Sequence, residues 1–438
     1  MKKFMFLFFG GIVLVFLTLV LKENLVSKPN VRITSLISFN QESERVAYPS
    51  IADFLESTKL ELRNSFEGPK EDMPMIHLVM GNESADVDSI VSSIMRAYFL
   101  QQTGGDPQNL YLPLINIPKQ DLDLRREILY IFDLLTIDPN TLLFLDDVPL
   151  LNKLFDEGDL RLNLVDHNAL PPQQSDWASV VESIVDHHVD ENIDYPLMED
   201  EDKIIGTTGS AATLVAETIQ QSSKPSILTS ELAIGLLAPI LLDTMNLQNK
   251  TKTTDKDVAM VEVLSSKAEG LIPENYYDQL LHHLSNVEGL TPLMLLRKDF
   301  KLFREGDLLY GMSSLPYGVI WEPEQEMLFS SSLKDFVEMK KIRLLIIIVP
   351  PGGTEYSEEK GLIVFSPSET LLQAVTSHLS DDPELSKYLT QVHQSEDHPV
   401  YYYQMSLSMA RKFLQPLFKF AENEEIQRVI HSTDADYH

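Results

Sequence analysis

From about residue 74 the chain alternates short apolar strands with amphipathic helices. Ile76–Met80 is an apolar strand closed by Gly81, and Ser89–Leu100 reads as the helix after it. Tyr111–Ile115 is a second strand, with Pro113 pointing to a sheet edge. Leu122–Leu135 reads as one helix, and Leu142–Leu145, Leu162–Val165 and Val180–Val185 read as strands. Helices are expected over Ala211–Gln220, Leu232–Leu242 and Val258–Ser266. This alternation predicts an α/β fold around a mostly parallel sheet covered by helices. The pattern changes near residues 268 to 290. Beyond it, a helix at Tyr276–Leu284, strands at Leu308–Met312 and Leu344–Val349, and helices at Leu333–Met339 and Leu371–His378 suggest a smaller mixed α/β domain.

The N-terminus is a separate object. Met1-Lys2-Lys3 precedes an uncharged run, Phe4 to Leu21, closed by Lys22. As a helix that run reaches about 27 Å, enough to cross a bilayer. No small-residue cleavage site follows it, so an uncleaved signal anchor is expected. The organisation is then an anchor at 1–22, a linker at 23–49, a catalytic domain at 50–268 and a C-terminal domain at 269–438. Basic residues flank the run on both sides, so the positive-inside rule names no orientation. Asn82-Glu83-Ser84 fits a glycosylation sequon within an acidic segment expected to form the active site, where a glycan would block it, which favours a domain facing the cytoplasm. The alternatives are a luminal or secreted protein, or a cytoplasmic one if the run is no anchor.

The formal net charge of −31 argues against a nucleic-acid partner held by broad electrostatic attraction. With no cysteine, any metal must sit on oxygen and imidazole ligands. A bound cation would reverse the local field and reconcile an acidic chain with an anionic substrate.

Four acidic or histidine-bearing segments share one placement, following an apolar strand or ending an apolar helix. They are Gly81-Asn82-Glu83-Ser84-Ala85-Asp86-Val87-Asp88, Val165-Asp166-His167-Asn168, Val185-Asp186-His187-His188 and Leu242-Asp243-Thr244. Alone, Asp-x-Asp is ordinarily a turn or helix cap, and Asp243 could be a capping carboxylate. Together they are harder to dismiss, because the carboxyl ends of parallel strands line one crevice. Asp86 and Asp88 can face neighbouring cations, Asp166 can bridge two, and His187 and Asp243 can complete a second coordination sphere. Hard oxygen ligands with few imidazoles suit Mg²⁺ or Mn²⁺. Two such ions support in-line attack of a deprotonated water on phosphorus.

These segments resemble the motifs of the DHH phosphoesterases, and Gly209-Ser210-Ala211-Ala212-Thr213 resembles that family's next motif, a small-residue turn opening a helix. The resemblance implies a Rossmann-like DHH domain followed by a DHH-associated domain, with the site in the cleft between them. The nuclease-like branch carries a glycine-rich motif ending in histidine, and Gly352-Gly353-Thr354-Glu355 lacks it. Leu296-Arg297-Lys298-Asp299-Phe300 and Ala410-Arg411-Lys412 instead resemble the basic motifs of family II pyrophosphatases, exopolyphosphatases and prune. Asn82 stands where family II pyrophosphatases have a metal-binding histidine, as in prune and the yeast-type exopolyphosphatases.

By that resemblance Asp86, Asp88, Asp166, His187 and Asp243 are metal ligands. Asp166, His187 and His188 carry catalysis, and His167 is a neighbour of the substrate. Asn82, His188, Lys298, Arg411 and Lys412 bind the substrate, or in Asn82's case hold a metal weakly or through water. Ala410 and Phe413 depart from the serine and second lysine that relatives often have. The implied activity is exopolyphosphatase action on short-chain inorganic polyphosphate, with two divalent cations, Mn²⁺ or Mg²⁺, and Co²⁺ serving in vitro. Alternatives are an inorganic pyrophosphatase, a nucleotide phosphodiesterase, or a prune-like scaffold for protein partners.

Overall fold

The structure is a computed structural model and describes residues 48–316, 319, 326–351, 353, 359–394, 399–406 and 409–433. The expected anchor, the linker up to residue 47, and Gly352, Thr354 and Glu355 lie outside the described residues. Among the described residues no helix is long and apolar enough to cross a membrane.

The first sheet contains β1 (Met75–Met80), β2 (Asn109–Ile115), β3 (Leu143–Phe144), β4 (Leu160–Val165), β5 (Val181–Asp186) and β6 (Lys203–Ile205). Their order is β3-β2-β1-β4-β5-β6, and all pairs are parallel. The order reverses between β1 and β4, which opens a crevice beyond their carboxyl ends. Ile76, Leu78 and Met80 pack on one face with Leu162 and Ile184. Val79, Val165 and Val185 pack on the other. Burial of both faces is why these strands are apolar runs rather than alternating ones.

The helices of this layer are α1 (Ile51–Ser65), α2 (Val87–Thr103), α3 (Arg126–Leu134), α4 (Val148–Glu157), α5 (Ala211–Gln221), α6 (Ser230–Asp243), α7 (Asp255–Lys267) and α8 (Tyr276–Ser285). Then α9 (Pro292–Lys298) leads into a second sheet of β7 (Phe300–Glu305), β8 (Leu308–Ser314), β9 (Leu344–Val349), β10 (Lys360–Phe365), β11 (Leu389–Gln394) and β12 (Val400–Met405). Its order is β11-β12-β10-β9-β8-β7, mixed because only β8 and β9 run parallel. Helices α10 (Glu326–Lys340), α11 (Glu369–Asp381), α12 (Arg411–Leu414) and α13 (Glu424–Thr433) complete this lobe.

Three expectations meet a different outcome. The single helix expected over Leu122–Leu135 is a 3-10 turn, Lys119–Leu124, then α3, because Arg125 breaks the helical path at φ −112° and ψ 71°. Pro113 lies on an interior strand, yet β3 pairs only with Leu114 and Ile115, so β2 is locally an edge there. Helix α8 falls after residue 268 but belongs to the first core, where Tyr276 and Leu280 are buried and the Tyr276 hydroxyl donates to the Ile234 carbonyl at 3.1 Å.

Leu280→Ala should therefore destabilise the folded first lobe by about 2–4 kcal/mol in urea unfolding. Leu281→Ala, at a neighbouring residue that is 41% exposed, should change it by at most about 0.5 kcal/mol. Equal effects would contradict this packing.

Candidate metal and phosphate site

Each strand end is bent by a local device. A Cβ on Gly81 would lie 2.7 Å from both the Cβ and the carbonyl oxygen of Ser89, so only glycine lets β1 turn beneath α2. The turn then passes through Ala85 at φ 45°, a conformation uncommon for residues other than glycine. Asp86 caps α2, its Oδ1 accepting from the Ser89 N–H at 3.0 Å. Beyond β4, Asp166 adopts φ 63°, and its N–H donates to the Val185 carbonyl at 3.0 Å. Strained residues of this kind cluster at functional sites.

The carboxylates converge. Asp166 Oδ2 accepts from Asn82 Nδ2 at 2.7 Å and from Ser89 Oγ at 2.6 Å. Its Oδ1 lies 3.4 Å from His187 Nε2 and 3.6 Å from His188 Nδ1. His187 Nε2 is also 3.9 Å from Asp88 Oδ2. His187 Nδ1 donates to the Thr208 carbonyl at 3.0 Å, which turns Nε2 toward the acids, as metal-binding imidazoles require. Asp166, His187 and His188 can offer ligand atoms within 4.8 Å of one another. Asp243 ends α6 and meets the Lys252 ammonium at 3.2 Å.

Asp88 is held by the small-residue turn the sequence singled out. Its Oδ2 accepts from Ala211 N at 2.6 Å, and its Oδ1 from Ser210 Oγ at 2.7 Å and Ala212 N at 2.9 Å. A carboxylate is stabilised at this helix N-terminus by free N–H groups and the helix dipole. Gly209 permits the approach, since a Cβ there would lie 2.5 Å from Thr244 Cγ2. Fully buried Asp257 fixes the turn from behind, accepting from Gly209 N at 2.9 Å and Thr213 Oγ1 at 2.6 Å.

The charge is only partly compensated. Burial and the charge of Asp166 push the Asp88 carboxyl above the usual range. Asp86 keeps an exposed edge, yet the surrounding protein strips away water, and that loss, with repulsion from Asp243 and Asp88, raises it too. Burial also raises Asp243, against the pull of Lys252. Burial lowers His187, but its bond to Asp166 and the charges of Asp88 and Asp166 outweigh that and lift it to about 10. Oxygen and imidazole donors with unbalanced negative charge fit divalent cations such as Mn²⁺ or Mg²⁺. Asp86, Asp88, Asp166, His187 and Asp243 would hold them.

Other sequence-selected residues are placed differently. The Asn82 amide is spent, with Nδ2 on Asp166 and Oδ1 accepting from Ser84 N at 2.9 Å and Ser84 Oγ at 2.6 Å, so it braces Asp166. The Lys298 ammonium is not in the cluster; it is buried against Glu127 Oε2 at 3.0 Å and the Leu124 carbonyl at 2.8 Å. Arg411 is paired with Asp299 Oδ1 at 2.6 Å. Lys412 has an exposed side chain with Nζ over the Phe413 ring and lies within electrostatic reach of the acids, its pKa lowered by desolvation and Lys252 and raised by Asp243 and Asp166. His167 donates from Nδ1 to the Val165 carbonyl at 3.0 Å, and its buried Nε2 has no partner among the described residues.

Four contributors were not selected from the sequence. Asp186 Oδ1 accepts from His188 Nδ1 at 2.7 Å, leaving His188 Nε2 free. Lys301 on β7 lies close enough to pull down the carboxyls of Glu83 and Asp86, which burial pushes up. Lys252 balances Asp243, and Asp257 supports the Gly209 turn. Two carried a readable signal: Asp186 opens the Asp-His-His segment after an apolar strand, and Asp257 closes the capping box Thr254-x-x-Asp257 at the start of α7.

Comparison with known proteins follows the same outline. Residues 77–240 match the DHH family, N-terminal domain, and residues 278–421 match the DHHA2 domain. A "Putative exopolyphosphatase" of Schizosaccharomyces pombe is 33% identical over 67% of this chain and 78% of its own length. "Exopolyphosphatase PRUNE1" of Rattus norvegicus is 30% identical over 79% of this chain and 75% of its own. The crystal structure of a Methanococcus jannaschii "putative family II inorganic pyrophosphatase" superposes with a TM-score of 0.51 at 19% identity, covering 79% of this chain and 99% of that one. That superposition concerns the fold.

Two outcomes follow from the charge balance. Because His187 is protonated at pH 8 without metal and must be neutral to bind one, Mn²⁺ binding should release about one proton per site. Calorimetry in buffers of different ionisation enthalpy measures this, and no release would remove His187 from the ligand set. Asp86→Asn keeps a good helix cap and removes one repelling charge. The metal-free variant should melt no lower than the parent, while the rise in Tm on adding Mn²⁺ should shrink or vanish.

Proposed function

The chain belongs to the DHH phosphoesterase family, in its prune and exopolyphosphatase branch, and on that premise we propose that it is a metal-dependent hydrolase removing terminal phosphate from short inorganic polyphosphate. The convergence of Asp86, Asp88, Asp166, His187 and Asp243 at one sheet edge, with Lys301, Arg411 and Lys412 contributed by the second lobe, carries the reading. Two bound divalent cations would supply a Lewis acid for the phosphoryl oxygens and a water activated at neutral pH.

The chain's own groups do the rest. Lys301 and Lys412 attract the phosphate chain, and Arg411, oriented by Asp299, offers a fork suited to phosphate oxygens. Asn82 and Ser89 hold Asp166 in one rotamer, so the acid edge is set before substrate arrives. His188 keeps Nδ1 on Asp186, so its free Nε2 can hold a proton for the leaving phosphate oxygen. The described residues contain no helix to tether this machinery, so a cytoplasm-facing membrane anchor at Phe4–Leu21 remains a proposal resting on the sequence.

A chain starting near residue 45 should release phosphate from tripolyphosphate and longer chains faster than from pyrophosphate, with Mn²⁺, Mg²⁺ or Co²⁺. Asp166→Ala should abolish release, and His188→Gln should slow it by about 10²–10⁴-fold. Preference for pyrophosphate would redefine the enzyme as a pyrophosphatase. Absence of metal-dependent release from every anhydride would sink the hydrolase reading.

A further inference from the structure

We propose that Arg125 is a positioning residue that locks the metal-binding loop and the second lobe into one body, so that cation affinity and phosphate-chain affinity both depend on it. This rests on the metal-dependent reading above.

Arg125 is 1% exposed and stands at the break between the 3-10 turn and α3. Its Nε donates to the Ala85 carbonyl at 2.7 Å and its Nη2 to the Ser84 carbonyl at 2.5 Å. The same Nη2 donates to the Lys298 carbonyl at 2.8 Å, and Nη1 to the Asp121 carbonyl at 2.9 Å. All four acceptors are main-chain oxygens, so none is a direct counter-ion. A buried charge held this way is costly to desolvate, and its four acceptors are fixed in the backbone, so they would be left unpaired without it.

The partners explain its presence. Ser84 and Ala85 belong to the loop that delivers Asn82 and Asp86, and Ala85 is its left-handed residue. Lys298 ends α9, one residue before Asp299, which holds Arg411, and three before Lys301. One guanidinium thus touches the backbone that sets a metal ligand and the backbone that sets the phosphate-facing cations. A second strap crosses the same seam: Glu83 Oε1 accepts from the Leu302 N–H at 2.6 Å. A lysine ammonium at 125, a point charge on a flexible stem, cannot span these carbonyls.

The test uses the full chain, Arg125→Lys, Glu83→Ala and the double variant. Mn²⁺ affinity is read without substrate, by the electron paramagnetic resonance of free Mn²⁺, beside KM and kcat for tripolyphosphate. Arg125→Lys should weaken Mn²⁺ binding and raise KM, each by about tenfold or more. Glu83→Ala should act in the same direction, and the double variant should lose less than the product of the two, because both ties join the same bodies. If folded Arg125→Lys keeps Mn²⁺ affinity and KM within about twofold of the parent while Tm falls, its role is structural only and the inference fails. Hydrogen exchange on the unaltered chain covers the case of a variant that does not fold. Mn²⁺ should protect amides 300–303 along with 81–87, and protection confined to 81–87 overturns the coupling. An unaltered chain that binds no Mn²⁺ would bring down the functional reading and this inference together. Normal Mn²⁺ binding with insensitive variants overturns the inference alone.

Discussion

Four carboxylates are held within reach of one another at a single sheet edge, and their mutual repulsion is the constraint that the surrounding structure answers. Parallel pairing of β1 and β4 ends those strands on the same side, so Asp86, Asp88 and Asp166 meet there, and the end of α6 adds Asp243. Each is met by a different device. Asp86 caps α2, Asp88 lies against the N-terminus of α5, Asp166 accepts from Asn82 and Ser89, and Asp243 pairs with Lys252. Burial first, and the charges of neighbouring acids second, push the carboxyls of Asp86, Asp88 and Asp243 above their ordinary range. Residual negative charge in a rigid, preformed cage is what a divalent cation requires, and what a purely structural cluster would avoid.

The second lobe brings cations within electrostatic reach of the same acids. Lys301 follows from β7, and Arg411 and Lys412 open α12. The seam between the lobes is built from two ion pairs, half-buried Arg297 with Asp121 and buried Lys298 with Glu127, and from Arg125, which bonds carbonyls on both sides. Such pairs contribute little net stability, because their desolvation offsets their attraction. They do specify geometry, since a buried charge tolerates few alternative positions. That accounts for Lys298, whose basic motif suggested a phosphate ligand and whose ammonium instead ties the lobes together.

Much of the fold was legible because its physics is local. Strands buried on both faces must be continuous apolar runs, so β1, β4, β5 and β9 stood out, as did the helices between them. The second sheet was less legible, with only β8 and β9 expected: β7, β11 and β12 carry polar or partly exposed residues whose pairing partners set their conformation, and the buried run of β10 was not singled out. The break at Arg125 was not legible, because the residues around it have ordinary helical propensity and the distant carbonyls it serves are invisible in a local window.

The sequence by itself determined the chemistry available: no thiolates, acids and imidazoles after strand ends, and a small-residue turn before α5. Those facts depend on residue type and strand period, which a linear chain carries. Only the tertiary structure decided which groups join the acid cluster and which serve the frame. Asp186, Lys252, Asp257 and Arg125 gained their roles, and Asn82 and Lys298 took different ones, through partners between 2 and 174 residues away. The reason is electrostatic. A charge or amide takes its function from what surrounds it once water is removed, and that environment exists only after the layers have packed.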